Sequence, residues 1–310
     1  MNETISVFVI VVTHNGVDTI CDCLQSVGES KIPLQTIVIE NASTDDTPEI
    51  INYFQNIIYL PQPVNLGFGQ ANNIGLKYAL EQGADYVFLL NQDAIIRPDT
   101  LEILANYAAA HPEFGILSPL HLDGEGVEID SKVVMYLTKD RVDFLSDLYL
   151  GRMKEVYEVN FINAAAWLIS KECVNKVGGF DDLFFMYGED DDFCHRAHMH
   201  GFKVGVIPSS TIFHKRTGRK PTANLWENLK RQAGYKASLI KARLKKDGRS
   251  FLLSVILWRI DHFAGKLSLL VKGHFGDMAI LVLAGTIVLV NLPKIWAHRK
   301  ISIKTQAFWN

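Results

Sequence analysis

Four times in its first 110 residues the chain runs through the same cycle of a short apolar stretch, a polar turn and a helical stretch. Ser6 to Val12 reads Ser-Val-Phe-Val-Ile-Val-Val, a β-branched run without alternation, as expected of a strand buried on both faces. Thr13-His14-Asn15-Gly16 is turn material, and a helix is predicted from about Asp18 to Val27. Thr36–Ile39 forms the second strand. Its loop ends in Asp45-Asp46-Thr47-Pro48-Glu49, a helix start with a capping residue, an early proline and acids in the first turn. A third strand near Ile57–Leu60 precedes Asn65-Leu66-Gly67-Phe68-Gly69 and a helix over about Gln70–Glu81. Tyr86–Leu90 is the fourth strand, and Pro98 opens a helix to about Ala110. Strands that alternate with helices at this interval predict an α/β fold, a doubly wound and mostly parallel sheet.

The pattern loosens through residue 160. Phe161–Ile169 then reads as a strand, Lys171–Val177 as a short helix, Gly178-Gly179-Phe180-Asp181 as a turn and Asp190–His200 as a helix, before Val204–Ile207 returns to the sheet. In a doubly wound sheet, ligands gather at the carboxyl ends of the strands. Acidic loops stand at three such places: Glu40-Asn41-Ala42-Ser43-Thr44-Asp45-Asp46, Asn91-Gln92-Asp93, and Gly188-Glu189-Asp190-Asp191-Asp192 after Phe184-Phe185-Met186-Tyr187. Four consecutive acids repel one another. Such a run persists where a cation, a polarised hydroxyl or a helix N-terminus uses the charge.

The formal net charge of −3 conceals a division, because residues 1–214 hold 12 Lys/Arg against 30 Asp/Glu and residues 215–310 hold 19 against 4. An acidic body with a basic tail implies an anionic partner for the tail. From Lys215 to Arg249 basic residues interleave with Trp226, Leu229, Tyr235, Leu239, Ile240 and Leu244, as in basic amphipathic helices that lie on anionic membrane surfaces. Phe251–Trp258 and Leu267–Val271 add apolar patches. Met278 to Pro293 is an uncharged span of 16 residues, short of the ~20 apolar residues that cross a bilayer, which favours shallow insertion over a crossing; packing inside an oligomer is the alternative. Nucleic acid is the weaker reading of the tail, because the apolar span favours lipid. Cys21, Cys23, Cys173 and Cys194 lack the spacing of a disulfide framework or zinc site and read as free thiols of a reducing cytosol. The N-terminus lacks the layout of a signal peptide, which makes a cytoplasmic body the expectation.

Val11-Val12-Thr13-His14-Asn15, Glu40 through Asp45, Asn65-Leu66-Gly67-Phe68 with Asn72-Asn73, Asn91-Gln92-Asp93, Gly178-Gly179-Phe180-Asp181 and Gly188-Glu189-Asp190 together resemble family 2 glycosyltransferases, in their rhamnosyltransferase-like branch. The resemblance spans roughly residues 5–215 and keeps the motif order. It implies the GT-A fold, a catalytic domain over 1–215 with a membrane-associated helical region over 216–310, and inverting transfer from a nucleotide-sugar donor. The acceptor it implies is a glycan or polyprenyl-linked molecule at the cytoplasmic face of the plasma membrane.

The same resemblance implies roles. Asp190 matches the catalytic base, with Glu189 holding an acceptor hydroxyl. Asp93 and His214 match the ligands of a divalent metal, Mn²⁺ or Mg²⁺, whose charge suits a departing diphosphate. Thr13, Asn15, Glu40, Asn41, Asp45, Asn65, Gly67, Asn73, Asn91 and Ala164 fall where relatives bind the nucleotide sugar. Singly, each has a plainer reading as a turn former, cap or core residue. Three departures stand out: Asn91 replaces the first aspartate of the metal motif, Glu40 replaces the usual aspartate after the second strand, and Asn163 stands where glycine is common. A sugar-nucleotide nucleotidyltransferase would need a Gly-rich, basic triphosphate loop that Thr13–Thr19 lacks. A non-catalytic membrane scaffold would have no use for Asp93, Asp190 and His214 together.

Overall fold

The structure is a computed structural model describing residues 5–216, 224–246 and 248–309. The chain begins with β1 (Val7–Thr13), α1 (Ile20–Gly28), β2 (Leu34–Glu40), α2 (Thr47–Ile51), β3 (Ile57–Pro61), α3 (Phe68–Glu81), β4 (Tyr86–Asn91), β5 (Ala94–Ile96) and α4 (Thr100–Ala110). It continues with β6 (Phe114–Asp123), α5 (Ser131–Asp140), α6 (Asp143–Tyr149), β7 (Tyr157–Val159), β8 (Ala166–Ser170), α7 (Lys171–Val177), α8 (Glu189–Met199) and β9 (Lys203–His214). Three long helices close it: α9 (Leu225–Lys246), α10 (Phe251–Val271) and α11 (Phe275–Ile301).

One nine-stranded sheet runs in the order β3-β2-β1-β4-β8-β6-β9-β5, with β7 on β9. Strands β3, β2, β1 and β4 are mutually parallel, as the alternating pattern predicts. Strand β8 enters antiparallel between β4 and β6, so the sheet is mixed beyond its first half. The unalternating run of β1 has a simple cause. Phe8 and Ile10 face a layer with Ala71, Leu76 and Trp167, while Val7, Val9 and Val11 face Ile20, Leu24, Leu101 and Leu104. Successive side chains point to opposite faces, and helices cover both. Each such aliphatic side chain contributes roughly 1.5–3 kcal/mol on burial.

Three expectations shift. The strand expected over Phe161–Ile169 begins at Ala166, because a tight turn closed by Ala165 N–H to Asn163 O (2.9 Å) bends the chain first. The apolar patches at Phe251–Trp258 and Leu267–Val271 are parts of a single helix, α10, whose polar residues Arg259, Asp261 and Lys266 continue it. The uncharged span Met278–Pro293 is the interior of α11, a helix of 27 residues that is long and apolar enough to cross a membrane.

The three C-terminal helices are fastened to the sheet domain. Leu183 and Phe184 share a core with Ala233, Ala237 and Leu244 of α9 and Ala284 and Val288 of α11. Lys245, itself buried, pairs with Asp181 and with Asp192 (2.5 Å), and His298 Nδ1 lies 2.6 Å from Asp181 Oδ1. The chain then returns to the body, where Gly179 N–H donates to Ala307 O at 2.8 Å. Gly178, at φ +88°, is needed there, since any Cβ would run into the Ala307 backbone.

Candidate active site

The carboxyl ends of β1, β2 and β4 and the loop before α3 form one wall of a cleft of about 1060 Å³. Phe185, Met186 and Tyr187, the inner face of α9 and Ile287 of α11 form the other wall. Of the residues singled out from sequence, Asn15, Asn41, Asp45, Asn65, Gly67, Asn91 and Asp93 line this space. Asn41 organises its floor: its Nδ2 donates to Asn65 Oδ1 (3.1 Å) and Gly67 O (3.3 Å), while its Oδ1 accepts from Leu66 N–H (2.8 Å). Asn15 Oδ1 accepts from Thr44 N–H at 2.8 Å, and Asp45 Oδ1 accepts from Thr47 N–H at 3.2 Å at the start of α2.

Strand β5 creates the most informative pairing. Three residues long, it pairs antiparallel with the end of β9, setting Ala94 opposite His214. His214 Nε2 thereby lies 3.3 Å from Asp93 Oδ1, with the imidazole buried and the carboxylate at the cleft. Burial opposes charge on Asp93, but the hydrogen bond and positive charge offered by His214 outweigh it and hold the carboxyl below its ordinary range. His214 Nδ1 has no hydrogen-bond partner among the described residues and stands 3.9 Å from Asp130 Oδ2, which pairs with Arg216. The Asp93 carboxylate and His214 Nε2, converging at the strand ends, are a donor pair that fits a hard or borderline divalent cation.

The acids at the start of α8 divide by environment. Asp191 pairs with Lys246 at 2.5 Å, and Asp192 is buried between Lys245 and Arg196, the latter at 2.8 Å. Glu189 and Asp190 have no cationic partner among the described residues. Burial, then the neighbouring charge of Asp190, pushes Glu189 up to about 8. Burial likewise pushes Asp190 up to about 6, against backbone N–H donors from Asp191 and Ala164 that stabilise its charged form. Two adjacent acids with values forced apart and upward are the pattern of acid–base chemistry.

Several expected residues stand outside the cleft wall. Asp190 and Glu189 follow the loop Phe185–Gly188 and do not line the space, which ends at Tyr187. Thr13 and Glu40 are buried beneath the floor, where Thr13 Oγ1 donates to Gln92 Oε1 (2.6 Å) and Glu40 Oε1 accepts from Ser43 N–H (2.6 Å). Asn73 is engaged from both ends of its amide by the Phe180 backbone, at 2.9 and 2.7 Å, and so braces the turn before α8. Ala164 is buried and serves Asp190 through its backbone N–H.

Sequence reasoning missed Gln92, whose Oε1 also accepts from His14 N–H (2.8 Å), and the α9 residues Arg231, Tyr235, Ser238 and Lys241 on the far wall. Their helical spacing was present in the sequence, but nothing there tied that face to the sheet. A second carboxylate–imidazole group, Asp181, Asp182 and His298, also converges. Lys245 and Lys294 already neutralise it, and it fastens the tail.

Comparison with known proteins follows this geometry. A model of Glycosyl transferase family 2 matches residues 8–163, and one of Glycosyl transferase family group 2 matches residues 86–297. The chain is 27% identical over 218 residues to an N-acetylglucosaminyl-diphospho-decaprenol L-rhamnosyltransferase of Mycobacterium tuberculosis, covering 62% of this chain and 71% of that protein. It is 26% identical over 222 residues to the rhamnosyltransferase WbbL of Escherichia coli K12, covering 67% and 83%. Among solved structures, the mannosyltransferase PcManGT of Pyrobaculum calidifontis, in complex with GDP-Man and Mn²⁺, aligns with a TM-score of 0.60 at 18% identity over 91% of this chain and 86% of that one. TarS of S. aureus with UDP aligns at 0.53 and 16% identity, over 81% and 68%. These structural likenesses speak for the fold.

Proposed function

Because the chain belongs to glycosyl transferase family 2, we propose that this glycosyltransferase is metal-dependent and inverting, and that it acts on a lipid-linked glycan acceptor in surface polysaccharide synthesis. The observation that carries the reading is the pairing of Asp93 with His214 on one side of a cleft whose other side is the loop leading into Glu189 and Asp190. Asp93 and His214 Nε2 would hold Mn²⁺ or Mg²⁺, which supplies positive charge to the departing diphosphate. Asn15, Asn41, Asp45, Asn65 and Gly67 shape the nucleotide side of the cleft.

In a single displacement, the acceptor oxygen attacks the anomeric carbon as the bond to the nucleoside diphosphate breaks. Its proton passes to Asp190. A carboxylate whose pKa lies near 6 is ionised at neutral pH yet basic enough to accept that proton. Glu189, protonated at neutral pH, would hold an acceptor hydroxyl without adding a second charge. Tyr187 and Gly188 are consecutive left-handed residues, at φ 69° and 94°, a costly conformation for tyrosine. Displacing this loop gives the acceptor access to Asp190.

The acceptor assignment draws on the M. tuberculosis relative, named for a diphospho-decaprenol substrate, and on the tail. Helix α10 exposes Leu252, Ile256, Ile260, Phe263, Leu267 and Leu270, an apolar stripe at helical spacing left uncovered among the described residues. Arg259, Lys266 and Lys272 flank it, as suits an anionic bilayer at the cytoplasmic face. The fastening of α11 to the body at Lys294 and His298 supports shallow insertion over a full crossing. The test is transfer from a panel of nucleotide sugars to a prenyl-diphosphate-linked sugar, with and without Mn²⁺, with the product's anomeric configuration read by NMR. Metal-dependent transfer with inversion is expected. Retention of configuration, or transfer undiminished in EDTA, overturns the reading.

A further inference from the structure

We propose that the face of α9 formed by Arg231, Tyr235, Ser238 and Lys241 is the subsite for the phosphate groups of a prenyl-linked acceptor, an inference that rests on the sugar-transfer reading above. At about 1060 Å³ the cleft stands at the upper end of the ~300–1,000 Å³ typical of a ligand site. Its charges are segregated. The carboxylates Asp18, Asp45 and Asp93 belong to the sheet wall, and the cations Arg231 and Lys241 both belong to α9. The lining positions 231, 234, 235, 238 and 241 fall on a single helical face, about 15 Å from end to end.

Of the cations on α9, Arg231 and Lys241 are the ones that line the cleft. Arg243 pairs with Asp261 (3.3 Å), Lys245 with Asp192 (2.5 Å) and Lys246 with Asp191 (2.5 Å). Among the described residues, Arg231 and Lys241 have no carboxylate within ion-pairing distance. Arg231 Nη2 bonds the neutral Asn228 Oδ1 (2.9 Å), and Lys241 Nζ donates to Leu183 O (3.1 Å). Lys241 is also half-buried, and desolvation, followed by the charge of Lys294, lowers its pKa. A desolvated ammonium oriented by one carbonyl and facing a cleft gains most from an anion that arrives with a ligand.

The character of that ligand follows from what adjoins the cation. Ile287 of the apolar helix α11 lines the same cleft, and Ser238 Oγ donates to Met186 O at 3.4 Å, so the cationic face lies between the loop before Asp190 and an apolar side chain of the tail. Tyr235 packs edge-on against Tyr187 at 5.0 Å and links the face to that loop. A molecule with phosphates between a sugar and an alkyl chain matches this order of surfaces. A nucleotide alone would meet cations without using the apolar end.

The experiment titrates the full-length protein with farnesyl diphosphate, following intrinsic tryptophan fluorescence, and measures in parallel the KM for a prenyl-diphosphate-linked sugar. Lys241→Gln and Arg231→Gln should each weaken farnesyl diphosphate binding about tenfold or more. Lys241→Arg should restore most of it, and Lys236→Gln, off the cleft on the same helix, should change nothing. Nucleotide-sugar Kd and partition onto phosphatidylglycerol vesicles should stay at wild-type values. Unchanged farnesyl diphosphate affinity in the folded Arg231→Gln and Lys241→Gln proteins overturns the subsite. So does a loss that falls on donor Kd, assigning the cations to the donor diphosphate, or on vesicle partition, assigning them to bulk lipid. If prenyl diphosphate binding depends on both residues but no sugar is transferred, the subsite stands and the transferase reading fails. Transfer with an unaltered acceptor KM in both variants leaves the transferase reading and removes the subsite.

Discussion

Replacing, one at a time, the two acids of α8 that lack a cationic partner among the described residues separates base from acceptor support, because their protons leave at different pH values. Asp190, raised to about 6, is roughly 10% ionised at pH 5 and roughly 90% at pH 7. The kcat/KM profile should therefore rise with a midpoint near pH 6, about two units above an ordinary aspartate. Glu189 is raised further, to about 8, and is still neutral while Asp190 titrates. Its ionisation puts a second unpaired charge into the same desolvated turn, so activity should decline above pH 8 and the profile should be a bell. Asp190→Asn should lower kcat by roughly 10²–10⁴-fold with little change in donor Kd. Glu189→Gln mimics the neutral acid, so it should keep the limb near 6 and lose the one near 8.

Stability supplies a readout that needs no turnover. A carboxyl whose folded pKa is raised destabilises the fold as pH climbs from its unfolded value to its folded one. Wild type should therefore lose ground to Glu189→Gln between about pH 4.5 and pH 8, by up to roughly 4–5 kcal/mol at about 1.4 kcal/mol per unit. Thermal melts across that range measure it. An acid limb near pH 4, an Asp190→Asn enzyme within tenfold of wild type, or an alkaline limb that survives Glu189→Gln would refute the assignment.

Further expectations concern the metal, the tail and the membrane. Asp93→Ala and His214→Ala should each weaken Mn²⁺-dependent donor binding about tenfold or more, measured by calorimetry; equal donor Kd with and without Mn²⁺ in wild type would remove the metal role. Lys245→Ala removes the cation shared by the buried Asp181 and Asp192, and unfolding in urea should show a loss of roughly 3–5 kcal/mol. A loss below about 1 kcal/mol would mean that Arg196 and His298 suffice for those carboxylates. Ile260→Glu with Phe263→Glu, on the exposed stripe of α10, should reduce co-sedimentation with anionic vesicles at an unchanged Tm; undiminished pelleting would shift membrane contact elsewhere.

How far the sequence disclosed this architecture depended on the range of the interactions involved. The parallel half of the sheet was legible because each β1-to-β4 strand declares itself locally, through an apolar run and a turn. Strand β5 was not, since three residues carry no period and their pairing is with a strand more than a hundred residues away. Asp93 and His214 were linked by motif order, and β5 supplies the physical reason they meet. Asn73 and Thr13 show a second way in which motif position and side-chain bonding come apart. Their positions in the motifs pointed to ligand binding, yet their side chains are committed to Phe180 and Gln92 and hold the loops that others present. A polar residue near a site is read equally well as ligand or brace until its partners are known.

The run of acids at the start of α8 shows why the tail is part of the candidate site's construction. In the sequence the four acids could answer to a cation, a polarised hydroxyl or a helix N-terminus, with the tail reserved for the membrane. In the fold, α9 supplies the cations for Asp191 and Asp192, through Lys246 and Lys245, and Lys245 extends the neutralisation to Asp181 of the Gly-Gly-Phe-Asp turn. Helix dipoles stabilise a few tenths to about one kcal/mol per charge near a terminus, too little to hold a buried aspartate ionised. Removing those two charges by pairing leaves Glu189 and Asp190 as the unneutralised acids of the cluster, and their raised pKa values follow from that isolation together with burial. The return of Ala307 onto Gly178 and Gly179 clamps the same turn from behind. The tail thus sets which carboxylates of the cluster carry a countercharge, and on the proposed mechanism a boundary drawn at residue 215 divides the sequence without dividing the chemistry.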